Sequence, residues 1–247
     1  MAGTLTGANL LARVKDILQD TTSVRWPEAE LLRYINDAQR EIVNYRPESS
    51  ATTSNVQLVT GTKQSLPSGG LRLIKVTRNM SSAASGATGK RAIRIVNVDI
   101  LNTQEPDWND PTVSGDAAHG SVVKHYIFDD DDPRNFYVYP GVASGQNAFV
   151  EIVFSNSPTD LANASATISV DDIYANAIMD YVLFRAYQKD SEYAGNAQRA
   201  GTHYQLFLNC LGQGGNAASM LDPNNDPVSN IGTGAVPQIT QMQQQGR

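Results

Sequence analysis

The chain has 247 residues, enough for one large or two modest domains with a real core. Its 19 Lys and Arg against 25 Asp and Glu give a net charge of −6, and no basic cluster is longer than Lys90-Arg91. That excludes the electrostatic footprint of sequence-nonspecific nucleic-acid binding.

Cys210 stands alone, so no internal disulfide can form, which suits folding in a reducing cytosol. The N-terminus lacks a basic stretch followed by an apolar one, and no apolar run approaches the roughly 18 residues that span a bilayer. A soluble protein without a signal peptide is expected. In the first segment, 5–20, Leu10, Leu11, Val14, Ile17 and Leu18 recur at helical spacing behind a plausible N-cap at Thr6. The second, 27–45, starts at Pro27, which fits a first helical position, with Glu28 and Glu30 at the positive end of the dipole. Leu31, Ile35, Ala38 and Ile42 mark its buried face, Leu32, Tyr34, Val43 and Tyr45 widen it, and Arg46-Pro47 ends it.

From about Thr53 the period changes. Val56, Leu58, Leu71, Leu73 and Val76 predict strands around a turn at 66–70. The Ser, Ala, Gly and Thr run at 81–89 predicts a loop, Ile93 and Ile95 a further strand, and 98–101 a short helical turn. Residues 102–120 have no clear period, and a connection of that length more often carries contacts. Strands at 122–128 and 136–139 flank a hairpin loop, and Phe149, Ile152 and Phe154 continue the sheet until Pro158.

A third main helix, 172–190, starts at the capping pair Asp171-Asp172. Ile173, Ala177, Ile178, Tyr181, Val182 and Arg185 cover more than half its circumference, which predicts burial between neighbours. A fourth, 196–211, carries Ala200, His203, Tyr204, Phe207, Leu208 and Leu211 and ends at Gly212. Neither terminal pair of helices has a partner nearby in sequence. The expected fold is therefore α+β: a discontinuous helical bundle from 1–50 and 171–212, an inserted antiparallel β-rich lobe at 51–170, and an extended C-terminal arm at 213–247. The helical core is expected at Leu31, Ile35, Ala38, Ile42, Ile178, Tyr181, Val182, Tyr204 and Phe207. The arm holds isolated apolar residues among Gly, Asn, Pro and Gln, where a plain disordered tail would lack them. It predicts a segment that orders against another chain; the alternative is an inert tail.

Catalytic patterns are absent. The four carboxylates Asp129, Asp130, Asp131 and Asp132 are consecutive and followed by Pro133, without the alternate spacing, glycine and distal Glu of a calcium loop, so a solvated hairpin tip is expected. His119, His125 and His203 have no other His or Cys at metal spacing, and Cys210 has no activating neighbour. No nucleophile elbow, phosphate-cradling loop or dinucleotide fingerprint occurs. Glu105, Asp107, Asp110 and Asp116 share the long loop with Trp108, which could stack on a sugar, so a carbohydrate-binding or peptidoglycan-hydrolysing protein is the alternative to a structural one. No catalytic residue, cofactor or metal is assigned.

Three segments carry a family resemblance: WPEAELLRYINDAQREI at 26–42, DPRNFYVYP at 132–140, and DYVLFRAYQKDSEYAGN at 180–196 with Arg199, Ala200 and Phe207. In this order they resemble the head-to-tail adaptor (connector) proteins of tailed bacteriophages, in particular the portal-bound adaptors of short-tailed phages, over roughly 5–212. Pro27 stands where the pattern has a polar cap. The resemblance implies a structural virion protein, made in the host cytoplasm, that forms a ring, usually of twelve subunits, between the portal and the tail tube or nozzle at the head-tail junction. DNA would pass through its channel without specific binding, and no membrane is involved; a neck protein of another tail type is the runner-up. Portal contacts are expected in the arm at Leu221, Val228, Ile231, Val236 and Ile239.

Overall fold

In a computed structural model the described residues are 4–221 except 194, with side chains described to 212 apart from that of Asp116. Helix α1 (Gly7–Leu18) starts as its sequence dictates: the Thr6 hydroxyl accepts the Asn9 N–H at 3.3 Å. Gln19, in the left-handed region at φ 54°, ends it. The Asp20 carboxylate then accepts the N–H groups of Val24, Arg25 and Trp26, each at 2.9 Å, and these bonds, Trp26 first, hold its pKa below the usual range. Helix α2 (Glu28–Tyr45) follows. Pro27 is its cap rather than its first residue and offers no side-chain bond; its carbonyl accepts from Glu30 and Leu31.

Among the described residues, eight strands form two four-stranded sheets. One has the order β1 (Ala51–Gln57), β8 (Phe149–Asn156), β3 (Gly70–Met80), β4 (Gly89–Ala92); the other β2 (Gly61–Ser65), β7 (Asn135–Val142), β6 (His125–Phe128), β5 (Arg94–Ile95). Pairing is antiparallel, as expected, except between β5 and β6, which run parallel. The parallel pair is possible because the connection from β5 to β6 is long and includes the helix α3 (Val98–Gln104). Leu73, Val76, Val150, Ile152 and Phe154 from one sheet meet Phe136, Val138, Val142 and Tyr126 from the other. A smaller cluster of Leu101, Trp108, Ala117, Ile127 and Tyr139 packs the long loop onto the second sheet.

Strand β2 has no counterpart among the expected strands. Its sequence GTKQS lacks apolar alternation, yet Thr62 and Gln64 are buried. The Gln64 side chain satisfies its own burial, accepting from Val59 N–H at 2.8 Å and donating to the carbonyls of Val59 and Gly61.

A short 3-10 turn, Asp172–Tyr174, capped by Asp171, leads into α4 (Ala175–Lys189), and α5 (Asn196–Leu221) returns along it. Helix α5 thus runs past Gly212, where a stop was expected, because that glycine is followed by residues that continue the helical hydrogen bonding. The arm residues Val228, Ile231, Val236 and Ile239 lie outside the described residues, as does the side chain of Leu221. No helix among the described residues is long and apolar enough to cross a membrane.

Helices from both ends of the chain share one core. Segment 157–170, grouped with the strands in the sequence reading, also belongs to it through Leu161, Ile168 and Val170. Two buried polar residues of α2 tie it there: Asn36 Oδ1 accepts the Leu161 N–H at 2.9 Å, and Gln39 Oε1 the Ser169 N–H at 2.6 Å. The Arg46 guanidinium, at the end of α2, donates to the Leu211 carbonyl of α5 (Nε at 3.0 Å), while Ser50 and Ser155 hydroxyls meet at 3.0 Å where helices give way to sheet.

Candidate functional site

The helical face formed by α2, α4 and α5 is the most distinctive surface. Of the residues expected in the helical core, Leu31, Ile35, Ala38, Ile42, Ile178, Val182 and Phe207 are buried, whereas Tyr181 and Tyr204 are half-buried and reach the surface. Tyr181 packs edge-on to Phe207 at 5.2 Å and to Phe184 at 5.8 Å; Phe184 meets Tyr204 at 4.9 Å, and Tyr45 meets Phe207 at 6.3 Å. Tyr45 is 47 % exposed. Tyrosines suit such a boundary, since the ring excludes water while the hydroxyl keeps a polar partner. The hydrogen bond to Tyr45 raises the pKa of Tyr204, and burial raises that of Tyr181.

At the other end of the row, Arg185 lies over the Tyr34 ring at 5.6 Å. The Tyr34 hydroxyl donates to Glu30 at 2.7 Å, and Glu30 also accepts from Lys189 Nζ at 2.7 Å. Burial, then the Glu30 bond, push the Tyr34 pKa up to about 12, while Lys189 first and Tyr34 second hold Glu30 below the carboxylate range.

Two expected apolar contacts are absent. Ile17, counted on the inner face of α1, is 49 % exposed, and Ile173 is 75 % exposed. Ile17 lies at the edge of a stripe already filled by Leu10, Val14 and Leu18, and Ile173 belongs to the 3-10 turn before α4, where helical phase does not yet apply.

The acidic run occupies the β6–β7 hairpin. Asp130 pairs with Arg72 at 2.7 Å and Asp132 with Lys63 at 3.5 Å, and the Asp132 carboxylate accepts from Asn135. No group of three or more His, Cys, Asp or Glu is arranged for a metal among the described residues. A groove of about 880 Å³ runs beside the hairpin, with Ile95, Val98, Ile127, Phe128 and Tyr137 along it. Trp108 does not serve as an exposed platform there. It is 3 % exposed, packs edge-on to Tyr137, and donates its indole N–H to Asn102 at 2.9 Å. The feature that suggested sugar stacking is thus part of the third apolar cluster.

The remaining candidate groups are packed. His203 Nδ1 meets Asp180 at 2.9 Å and its ring stacks on Tyr187. His125 stacks on Tyr139, and burial lowers its pKa. His119 fills the space beside Gly141, where any side chain would collide with the imidazole. Cys210 is half-buried, and that burial raises its thiol pKa, which disfavours the reactive thiolate.

The described residues thus place aromatic rings and ion pairs along an open helical face. The chain belongs to the SU10 adaptor protein family, whose model matches residues 5–227, and so to a family of phage head-to-tail adaptors. It is a phage structural adaptor protein and a virion component. No curated protein matches the chain.

The sequence reading missed the half-exposed aromatic row. Its signal was present in the spacing of Tyr34 and Tyr45 on one helix and the density of Tyr181, Phe184, Tyr204 and Phe207 on two others. Periodicity alone assigned Tyr181, Tyr204 and Phe207 to the interior and drew no attention to Phe184.

Proposed function

We propose that this chain forms a ring, of twelve subunits, that joins the portal to the tail tube or nozzle at the head-tail junction and lines the DNA exit channel. The observation that carries the reading is the family match, which extends over both helical ends and the strands between them. Three features support it. The helical part is closed by elements from both chain ends around a core of its own beside the one between the sheets, which leaves each part available to a different neighbour. The tyrosine face leaves apolar surface unsatisfied in a single subunit. A net charge of −6 per chain, multiplied around a channel, repels a moving polyanion and so avoids holding DNA.

In this reading the C-terminal arm anchors the ring to the portal through Leu221, Val228, Ile231, Val236 and Ile239. Burying a large aliphatic contributes about 1.5–3 kcal/mol before ordering costs, so a few such contacts suffice. The test is to mix the purified chain with its cognate portal and image the product by electron microscopy. A ring seated on the portal is expected, and removal of everything after Leu221 should leave a folded chain that holds the portal weakly. A monomer that ignores the portal would overturn the proposal; equal portal affinity after truncation would move the docking surface onto the helices.

A further inference from the structure

The helical part has two exposed faces of complementary character on opposite sides, and this inference rests on the ring reading above. On α2, the tyrosine face contains Tyr34, Asp37, Glu41 and Tyr45. Helical residues advance about 100° each, so Glu41, nine positions from Leu32, points to the opposite side of the helix. Leu32 faces α1: it packs so closely against Gly7 that a side chain at that glycine would be crowded. Glu28, on the same side of α2 as Leu32, pairs with Lys15 of α1 at 2.7 Å. Helix α1 and the tyrosine face therefore flank α2 on opposite sides.

Each face carries a charge without a partner among the described residues, although exposed Asp16 lies one turn from Arg13 and Arg185 stands beside the tyrosines. Asp37 is paired with Arg40 at 3.0 Å. Glu41 lies close enough to Tyr181 and Tyr204 to raise the pKa of both, yet it has no hydrogen bond or ion pair among the described residues. On α1, Arg13 and Ile17 are one turn apart and exposed. Arg13 is two positions from both Leu11 and Lys15, about 200° from the side that meets α2. It too has no ion pair among the described residues.

We propose that the tyrosine face is a subunit interface that receives α1 of a second copy of this chain, with Arg13 meeting Glu41 and Ile17 covering the exposed tyrosine edges. Because the two surfaces differ and lie on opposite sides of α2, each copy still offers a free face after docking, and the contact propagates head to tail until rotation closes it into a ring. A two-fold pairing of the tyrosine face with itself, centred on Glu41, would instead oppose two carboxylates, which disfavours it.

Charge reversal in the full-length protein tests this. Ring formation on the cognate portal is followed by electron microscopy, and self-association by sedimentation, with melting temperatures checking that each variant folds. Glu41→Arg and Arg13→Glu alone should each reduce ring formation about tenfold, and the double variant should recover most of it, as a direct charge pair requires. Rings formed normally by both single variants, or a double variant no better than either single one, would overturn the interface while leaving the adaptor reading intact. If the unaltered chain makes no ring with its portal, the ring reading fails and the interface fails with it.

Discussion

The helical part and the strand part bury their apolar residues to different degrees of completion. Between the sheets, Phe136, Val138, Val150 and Ile152 are fully enclosed, and the exposed faces of the strands are mostly polar. The helical core is equally closed at Leu10, Leu31, Ile35, Ile42, Ile178 and Phe207, but its aromatic layer continues outward through Tyr181, Phe184, Tyr204 and Tyr45 to the surface. A sheet pair completes its core within one chain, since two facing surfaces cover each other. Among the described residues the helices leave one flank of the bundle uncovered, and in an assembly protein that flank is where a neighbour gains most by docking.

The largest effects should come from truncating the two closed cores. Phe207→Ala and Phe136→Ala should each cost about 3–5 kcal/mol, and Ile35→Ala about 2–5 kcal/mol. Phe207 and Phe136 belong to separate clusters, so the double variant should be additive within about 0.5 kcal/mol in denaturant unfolding. Strong coupling between them would break the picture of two separately closed cores. Tyr181→Ala should cost less than Phe207→Ala, about 2 kcal/mol, because part of its ring is already in water; an equal loss would mean that the tyrosine row is interior in the free subunit.

A smaller effect should follow from removing the buried polar ties of α2. Gln39→Leu should leave the Ser169 N–H without an acceptor, and Asn36→Leu should do the same to that of Leu161. Each should cost about 1–3 kcal/mol by the same unfolding measurement. If either is neutral, segment 157–170 is held by its apolar residues alone.

On the strand side, replacing all four of Asp129, Asp130, Asp131 and Asp132 by Asn removes two exposed ion pairs. The loss should stay below about 1 kcal/mol, and calorimetry should show no calcium-dependent rise in melting temperature in either protein. A calcium response lost in the variant would make the hairpin tip a binding site.

The smallest effects concern pH. Glu30 has a lowered pKa in the folded state, so its contribution is present above the unfolded value of about 4.3 and is lost as pH falls through the folded value. Its partner Tyr34 is raised to about 12, so the tyrosine contribution is present below the unfolded value of about 10 and is lost as pH rises toward 12. Glu30→Gln should flatten the acid side of the melting-temperature profile and Tyr34→Phe the alkaline side. Unchanged profiles would show that the Lys189–Glu30–Tyr34 chain does not hold in solution.

Local sequence determined where the helices begin and which strands carry the inner sheet faces. Thr6 and Asp171 cap because their side-chain oxygens can accept nearby N–H groups, and Leu31, Ile35, Ala38 and Ile42 share a face because 3.6 residues make a turn. The joining of the two chain ends into one helical core was also legible, since neither pair of amphipathic helices had a nearby partner for its apolar stripe. Tertiary structure alone decided the rest. Strand β2 is recruited by β7 despite its polar sequence, and Gln64, Asn36 and Gln39 are buried because distant backbone groups need them as partners. Trp108 is inside because the long loop folds back on Tyr137, while Ile17 and one edge of Tyr45 remain outside because no element among the described residues covers them. Periodicity records which residues share a face; what covers that face depends on residues far away in the chain, or on another subunit.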